Sequence, residues 1–160
     1  MTIPLPIAVD ADPLRYPLIA RLFDKHGFAE VTADDRDGWL ARPGRTLVVF
    51  LEDPVRYRES LDLAVIVPEI AHAFAGRFAV GVALPVAARQ LAVRYGFRRW
   101  PALVVLADGR YVGAIDGLRD WPVYLDEVAA LLEAAPSRPP SVGVAVAGDG
   151  AGAGAGACAS

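Results

Sequence analysis

Residues 95–117 read YGFRRWPALVVLADGRYVGAIDG, and this stretch decides the fold. Gly96 stands where a glycine ends a helix, and Pro85 stands where a proline opens one, since the first helical turn has no use for the missing N–H. Residues 85–95 therefore read as a helix. Trp100-Pro101 follows, and then two apolar runs, 103–106 and 110–115, flank Ala107-Asp108-Gly109. Asp-Gly between such runs is a strong signal for a tight hairpin. Gly117 opens the link to a last helix, about 121–134, with Val123, Val128, Leu131 and Leu132 facing inward.

Upstream, residues 78–84 read as a strand. A helix precedes it at about 59–75, with Leu63, Ile66, Val67, Ile70, Ala71 and Phe74 on one side. Pro68 lies inside that helix. A mid-helix proline removes one hydrogen bond, at a cost of about 3 kcal/mol or more, so the helix is either kinked and compensated or split in two. Before it comes TLVVFLED, residues 46–53. The run is apolar and β-branched nearly throughout, as in a central strand covered on both faces, and Asp53-Pro54 ends it. Asp34 is placed to cap a short helix carrying Trp39 and Leu40, closed by Pro43-Gly44. Leu14, Leu18, Ile19, Leu22 and Phe23 recur at helical spacing, and Gly27 stops that helix. The expected organisation is an irregular segment at 1–13, one domain at 14–135, and a Pro-, Gly- and Ala-rich tail at 136–160 that buries too little to be ordered.

The first strands are joined by helical crossovers and so should be parallel, while the last two form a hairpin. That order predicts an α/β fold, a mixed central sheet between helical layers. The chain has 160 residues and a net charge of −3, with no basic stripe of the kind that marks a nucleic-acid site. Its longest apolar run, 78–88, is eleven residues, against the roughly 20 needed to span a bilayer. The amino terminus has no basic region and is broken by Pro4 and Pro6, unlike a secretory signal. A cytoplasmic protein is expected.

The single cysteine, Cys158, rules out a disulfide framework. His26 and His72 lack ligand spacing, and Asp10, Asp12, Asp34, Asp35 and Asp37 read as caps and loop charges, so neither metal nor cofactor is expected. Nothing around Ser60 forms a nucleophile elbow.

Taken together, the buried strand at 46–53, Pro68, Arg94-Tyr95-Gly96, Trp100-Pro101, the glycine-turned hairpin and Gly117 resemble a thioredoxin-like domain, a three-layer α/β/α sandwich with a mixed sheet, over residues 30–135. The resemblance implies a cis bond before Pro101, beside the site. It also implies two cysteines eight and five residues before Pro68, where this chain has Ser60 and Leu63. Thiol–disulfide exchange needs a thiolate and a resolving thiol, so that reaction is excluded at this position.

The finer motifs are Trp39-Leu40, Asp53-Pro54, Arg99-Trp100-Pro101-Ala102, Tyr111, Gly113 and Trp121. Over about residues 36–133 they are similar to the hydrogenase accessory family HyaE, of HoxO and HupG type. That resemblance implies a non-enzymatic chaperone that binds the small-subunit precursor of a nickel–iron hydrogenase at or near its twin-arginine signal peptide. It also implies protection of the immature subunit from oxygen, and a second accessory protein as a further partner. A groove beside Pro101 could pair with an extended peptide. Trp100 would supply an apolar contact unless it is simply core, Arg99 an anion contact, and Glu52, Asp53, Glu59 and Asp62 a lip for the peptide's arginines. The alternative is a redox-inactive thioredoxin-like interaction module of some other assembly.

Overall fold

The computed structural model describes residues 12–141. Among them the chain forms strands β1 (Ala29–Glu30), β2 (Arg45–Phe50), β3 (Ala79–Ala83), β4 (Ala102–Ala107) and β5 (Arg110–Asp116), with helices α1 (Pro17–Asp24), α2 (Glu59–Ala73), α3 (Pro85–Tyr95) and α4 (Trp121–Glu133). The sheet order is β1-β3-β2-β4-β5. β1 and β2 run parallel to β3, and β4 runs antiparallel to β2 and β5. This is the thioredoxin-like α/β/α sandwich. β2 alternates its side chains between two cores: Leu47 and Val49 pack with Ile19, Leu63, Val67, Ile70 and Val128, and Val48 and Phe50 pack with Leu40, Leu91 and Tyr95. Helices α1, α2 and α4 thus cover one face, and α3 with short 3-10 turns covers the other. A strand covered twice can be apolar at every position.

Some local expectations change. Leu14 is not in α1. It lies in a separate 3-10 turn, Pro13–Arg15, and is 43 % exposed. Pro17 opens α1 and forces Tyr16 into an extended conformation, because a residue before proline is pushed out of the helical region. Asp34 does not cap the turn that carries Trp39, which has no side-chain cap; Thr32 caps a separate turn before it, Ala33–Arg36. The Thr32 hydroxyl accepts the Asp34 N–H, and the Asp35 carboxylate accepts the Thr32 N–H at 2.7 Å. Gly38 then separates a second turn, Trp39–Ala41. β2 leaves the ladder after Phe50, three residues early, and β1, with only two residues, has no sequence period to reveal it.

Pro68 sits within one continuous α2. Gly96 ends α3 with φ +68°, a left-handed conformation that glycine adopts without a steric penalty. Residues 136–141 run back over β5, where Ser137 donates its N–H to the Tyr111 carbonyl at 2.8 Å and its hydroxyl to the Val112 carbonyl at 3.0 Å. The rest of the tail, with Cys158, and the segment 1–11 lie outside the described residues.

Candidate functional site

Four strand ends meet at one end of the sheet. Phe50 pairs with Ala102, and Ala102 pairs with Asp116. Ala83, the end of β3, lies beside Phe50. The loops leaving β2 and β5 and the loop entering β4 therefore crowd together there.

The Trp100–Pro101 bond is cis. The loop that carries it is pinned through its backbone. The Asp116 carboxylate accepts the N–H groups of Arg98 (3.0 Å) and Arg99 (3.2 Å), and the Pro101 carbonyl accepts the Gly117 N–H at 2.8 Å. Tyr124, buried beneath, donates its hydroxyl to the Gly117 carbonyl at 3.3 Å. Burial raises the Tyr124 pKa, which keeps that donor protonated through the neutral range. Asp116 is thus occupied with shaping the loop.

Trp100 belongs partly to the core and partly to the surface. Its ring meets Phe97 edge-on at 5.0 Å, and Phe97 in turn packs on Phe50 at 4.9 Å, yet Trp100 remains half-buried. Neither its N–H nor its C=O pairs with another described residue. On the neighbouring β2–α2 loop Val55 is 72 % exposed and Tyr57 is 37 % exposed. Pro101 is buried.

The four acidic residues separate into two groups. Glu52 is 5 % exposed, and both of its carboxylate oxygens accept from the Arg89 Nε, at 3.1 and 2.9 Å. One of them also accepts the Asp53 N–H at 2.7 Å. Glu52 is therefore an internal anchor and not part of an open lip, because its charge is buried against a partner from α3. Asp53 is half-buried and turns the chain by accepting the Val55 N–H at 3.0 Å. Glu59 and Asp62 are exposed in the first turn of α2, where negative charge suits the helix dipole. Arg99 is exposed, and its guanidinium has no partner among the described residues. Arg56 and Arg58, exposed on the β2–α2 loop, add cations that the sequence pattern did not single out.

Ser60 and Leu63 are both fully buried. The Ser60 hydroxyl accepts the Glu52 N–H at 3.1 Å, which ties the start of α2 to the end of β2. The place of a reactive thiol is thus taken by a structural hydrogen bond. Among the described residues no group of three or more His, Cys, Asp or Glu could hold a metal ion, and no helix is long and apolar enough to cross a membrane.

The family model described as hydrogenase-1 expression protein HyaE matches residues 18–124. The hydrogenase expression/formation protein HoxO of Cupriavidus necator is 43 % identical over 145 residues, which cover 89 % of this chain and 88 % of that protein. HoxO of Azotobacter vinelandii is 38 % identical over 117 residues, covering 73 % and 78 %. A crystal structure assigned as a hydrogenase expression/formation protein hupG, from Rhodopseudomonas palustris CGA009, is 33 % identical and covers 65 % of this chain and 94 % of its own, with a TM-score of 0.43. The family model spans well over half of the chain and carries with it the loops around Trp100 and Pro101. The chain belongs to the HyaE family of hydrogenase expression proteins.

Proposed function

We propose that the protein acts in the cytoplasm as a non-catalytic maturation chaperone for a nickel–iron hydrogenase small-subunit precursor. It holds the precursor at or near its twin-arginine signal peptide before export and shields the immature subunit from oxygen. The relatives are named hydrogenase expression/formation proteins, which supports a role in hydrogenase maturation. The observation that carries the finer reading is the Trp100 edge. An unpaired backbone N–H and C=O stand beside a half-buried indole, with Val55 and Tyr57 exposed nearby. An extended peptide adds to such an edge through its main chain and seats apolar side chains on the aromatic surface.

Charge orients the peptide. Glu59 and Asp62 offer open carboxylates at the start of α2, with Asp53 behind them, while Arg99 lies beside Trp100. The leader's arginines would face α2, and its apolar stretch would cross Trp100 and Pro101. Glu52 supports this rim from within through Arg89. With Ser60 and Leu63 at the thiol positions the groove binds without sulfur chemistry.

Capture of the precursor by the purified protein, with and without the leader, tests the reading. Binding that disappears on leader deletion supports it, and equal capture of both forms or of neither removes it. Trp100→Ala should weaken capture about tenfold or more while the far-ultraviolet spectrum stays native. Unchanged affinity would place the site elsewhere. Insulin reduction should show no turnover above buffer.

A further inference from the structure

The opposite end of the sheet carries a second concave surface. The β4–β5 turn, the last turn of α3 and the strap at 136–139 border a cleft of about 470 Å3, within the size range of small-molecule sites. Arg110 comes from the turn, Arg94 from α3 and Arg138 from the strap. The two hydrogen bonds of Ser137 to β5 hold the strap in register and so deliver Arg138 to the rim.

Arg94, Arg110 and Arg138 make no ion pair or hydrogen bond with any described residue; Arg94 only lies over the Tyr95 ring, 5.7 Å from its centre. No acidic side chain lines the cleft. The nearest acid in sequence, Asp108, is engaged, since its carboxylate accepts the Gly44 N–H at 2.7 Å. The wall is aromatic: Tyr95 and Tyr111 stack with ring centres 6.3 Å apart. The Tyr95 hydroxyl is buried without a partner, one of two such side-chain atoms among the described residues. Burial raises its pKa, and the nearby charges of Arg94 and Arg36 partly oppose that rise.

Three arginines line one cleft with no carboxylate among them, and their like charges repel, in a chain whose net charge is −3. An anion in the cleft relieves that repulsion. Guanidinium forks match phosphate and carboxylate groups two bonds at a time, and three forks match more than one such group. We propose that this cleft binds a small polyanion, a molecule with two or more phosphate or carboxylate groups, held by Arg94, Arg110 and Arg138 against the Tyr95–Tyr111 wall. The site stands at the other end of the strands from Trp100 and does not depend on the peptide reading.

The test is calorimetric titration of the full chain at low ionic strength with pyrophosphate and, separately, with citrate. Saturable one-to-one binding of either probe is expected. Arg110→Gln and Arg138→Gln should each weaken it about tenfold, the scale of a lost charge-assisted hydrogen bond. Arg21→Gln, on α1, should leave it unchanged. All three side chains are exposed, and matching unfolding midpoints without ligand will show that the variants fold. Absence of saturation with both probes, or equal affinity in the wild type and the cleft variants, overturns the proposal. Binding of hexaglutamate with no response to either small anion assigns the cleft to a polypeptide and overturns it as well.

Discussion

The two ends of the sheet use polar groups in opposite ways. At the Trp100 end the inner charges are engaged: buried Glu52 with Arg89, and half-buried Asp116 with two backbone N–H groups of the Arg98–Arg99 loop. What stands open at its centre is the half-buried Trp100 ring, with Val55 and Tyr57 and the unpaired Trp100 backbone, and the exposed charges of Arg99, Glu59 and Asp62 lie around it. At the β4–β5 turn the order is reversed. The apolar groups are stacked together as Tyr95 and Tyr111, and what stands open is charge. A polar group that is spent on shaping a loop is not available to a ligand, which is why we propose a chain as the occupant of the first end and an anion as that of the second.

The largest expected effect is at the first end. Glu52→Leu removes the carboxylate that accepts from Arg89 and from the Asp53 N–H and sets an apolar side chain against that part of the guanidinium. Loss of one partner of a buried pair costs about 3–5 kcal/mol, and the partial exposure of Arg89 lowers this to roughly 2–4 kcal/mol. Urea unfolding will measure it, and a loss below about 1 kcal/mol would mean that the pair contributes no more than a surface ion pair does. Ser60→Ala should follow at roughly 1–3 kcal/mol, because the Glu52 N–H is left buried without an acceptor. If Ser60→Cys proves as stable as the wild type, a thiol fills the same hydrogen-bonding place, and the serine is not needed for structure.

At the other end, Gly96→Ala should cost about 1–2 kcal/mol for its left-handed φ of +68°. An added Cβ would also collide with the Pro140 carbonyl and push the strap away. Faster exchange of the Ser137 amide, together with weaker anion binding, would follow. Unchanged exchange would show that the strap is held by something other than this contact.

How much of this was legible in the sequence depends on the reach of each interaction. α3 was read to the residue because Pro85 and Gly96 punctuate it locally. The hairpin was read from Asp108-Gly109, whose φ values of 50° and 78° are those the Asp-Gly signal predicts. Trp100 and Pro101 were found through the resemblance of the motifs around them. The place of Glu52 was not legible, since its partner Arg89 is 37 residues away and a glutamate ending a strand looks like surface. Nor was the anion cleft, whose arginines at 94, 110 and 138 are brought together only by the topology. Helical spacing runs from Leu14 through Pro17, yet the proline, a stronger local constraint, sets the start of α1.

The smallest effect is the sharpest test of the contrast, because one chemical change is made at both ends. Tyr124→Phe removes a hydroxyl that donates to Gly117 and should cost about 0.5–1.5 kcal/mol. Tyr95→Phe removes a hydroxyl without a partner, so near neutral pH it should be neutral or slightly stabilising. In alkali both variants should gain relative to the wild type. Burial raises the folded pKa of both tyrosines above the ordinary value of about 10, so the unfolded chain loses the proton first. The stability linked to each hydroxyl is therefore complete below pH about 10 and is lost as the pH climbs toward the folded value. Phenylalanine has no proton to lose, so each substitution should flatten the alkaline limb of the stability curve. A Tyr95→Phe protein less stable than wild type near neutral pH would mean that the hydroxyl has a partner after all, and the two ends would then differ less than their geometry says.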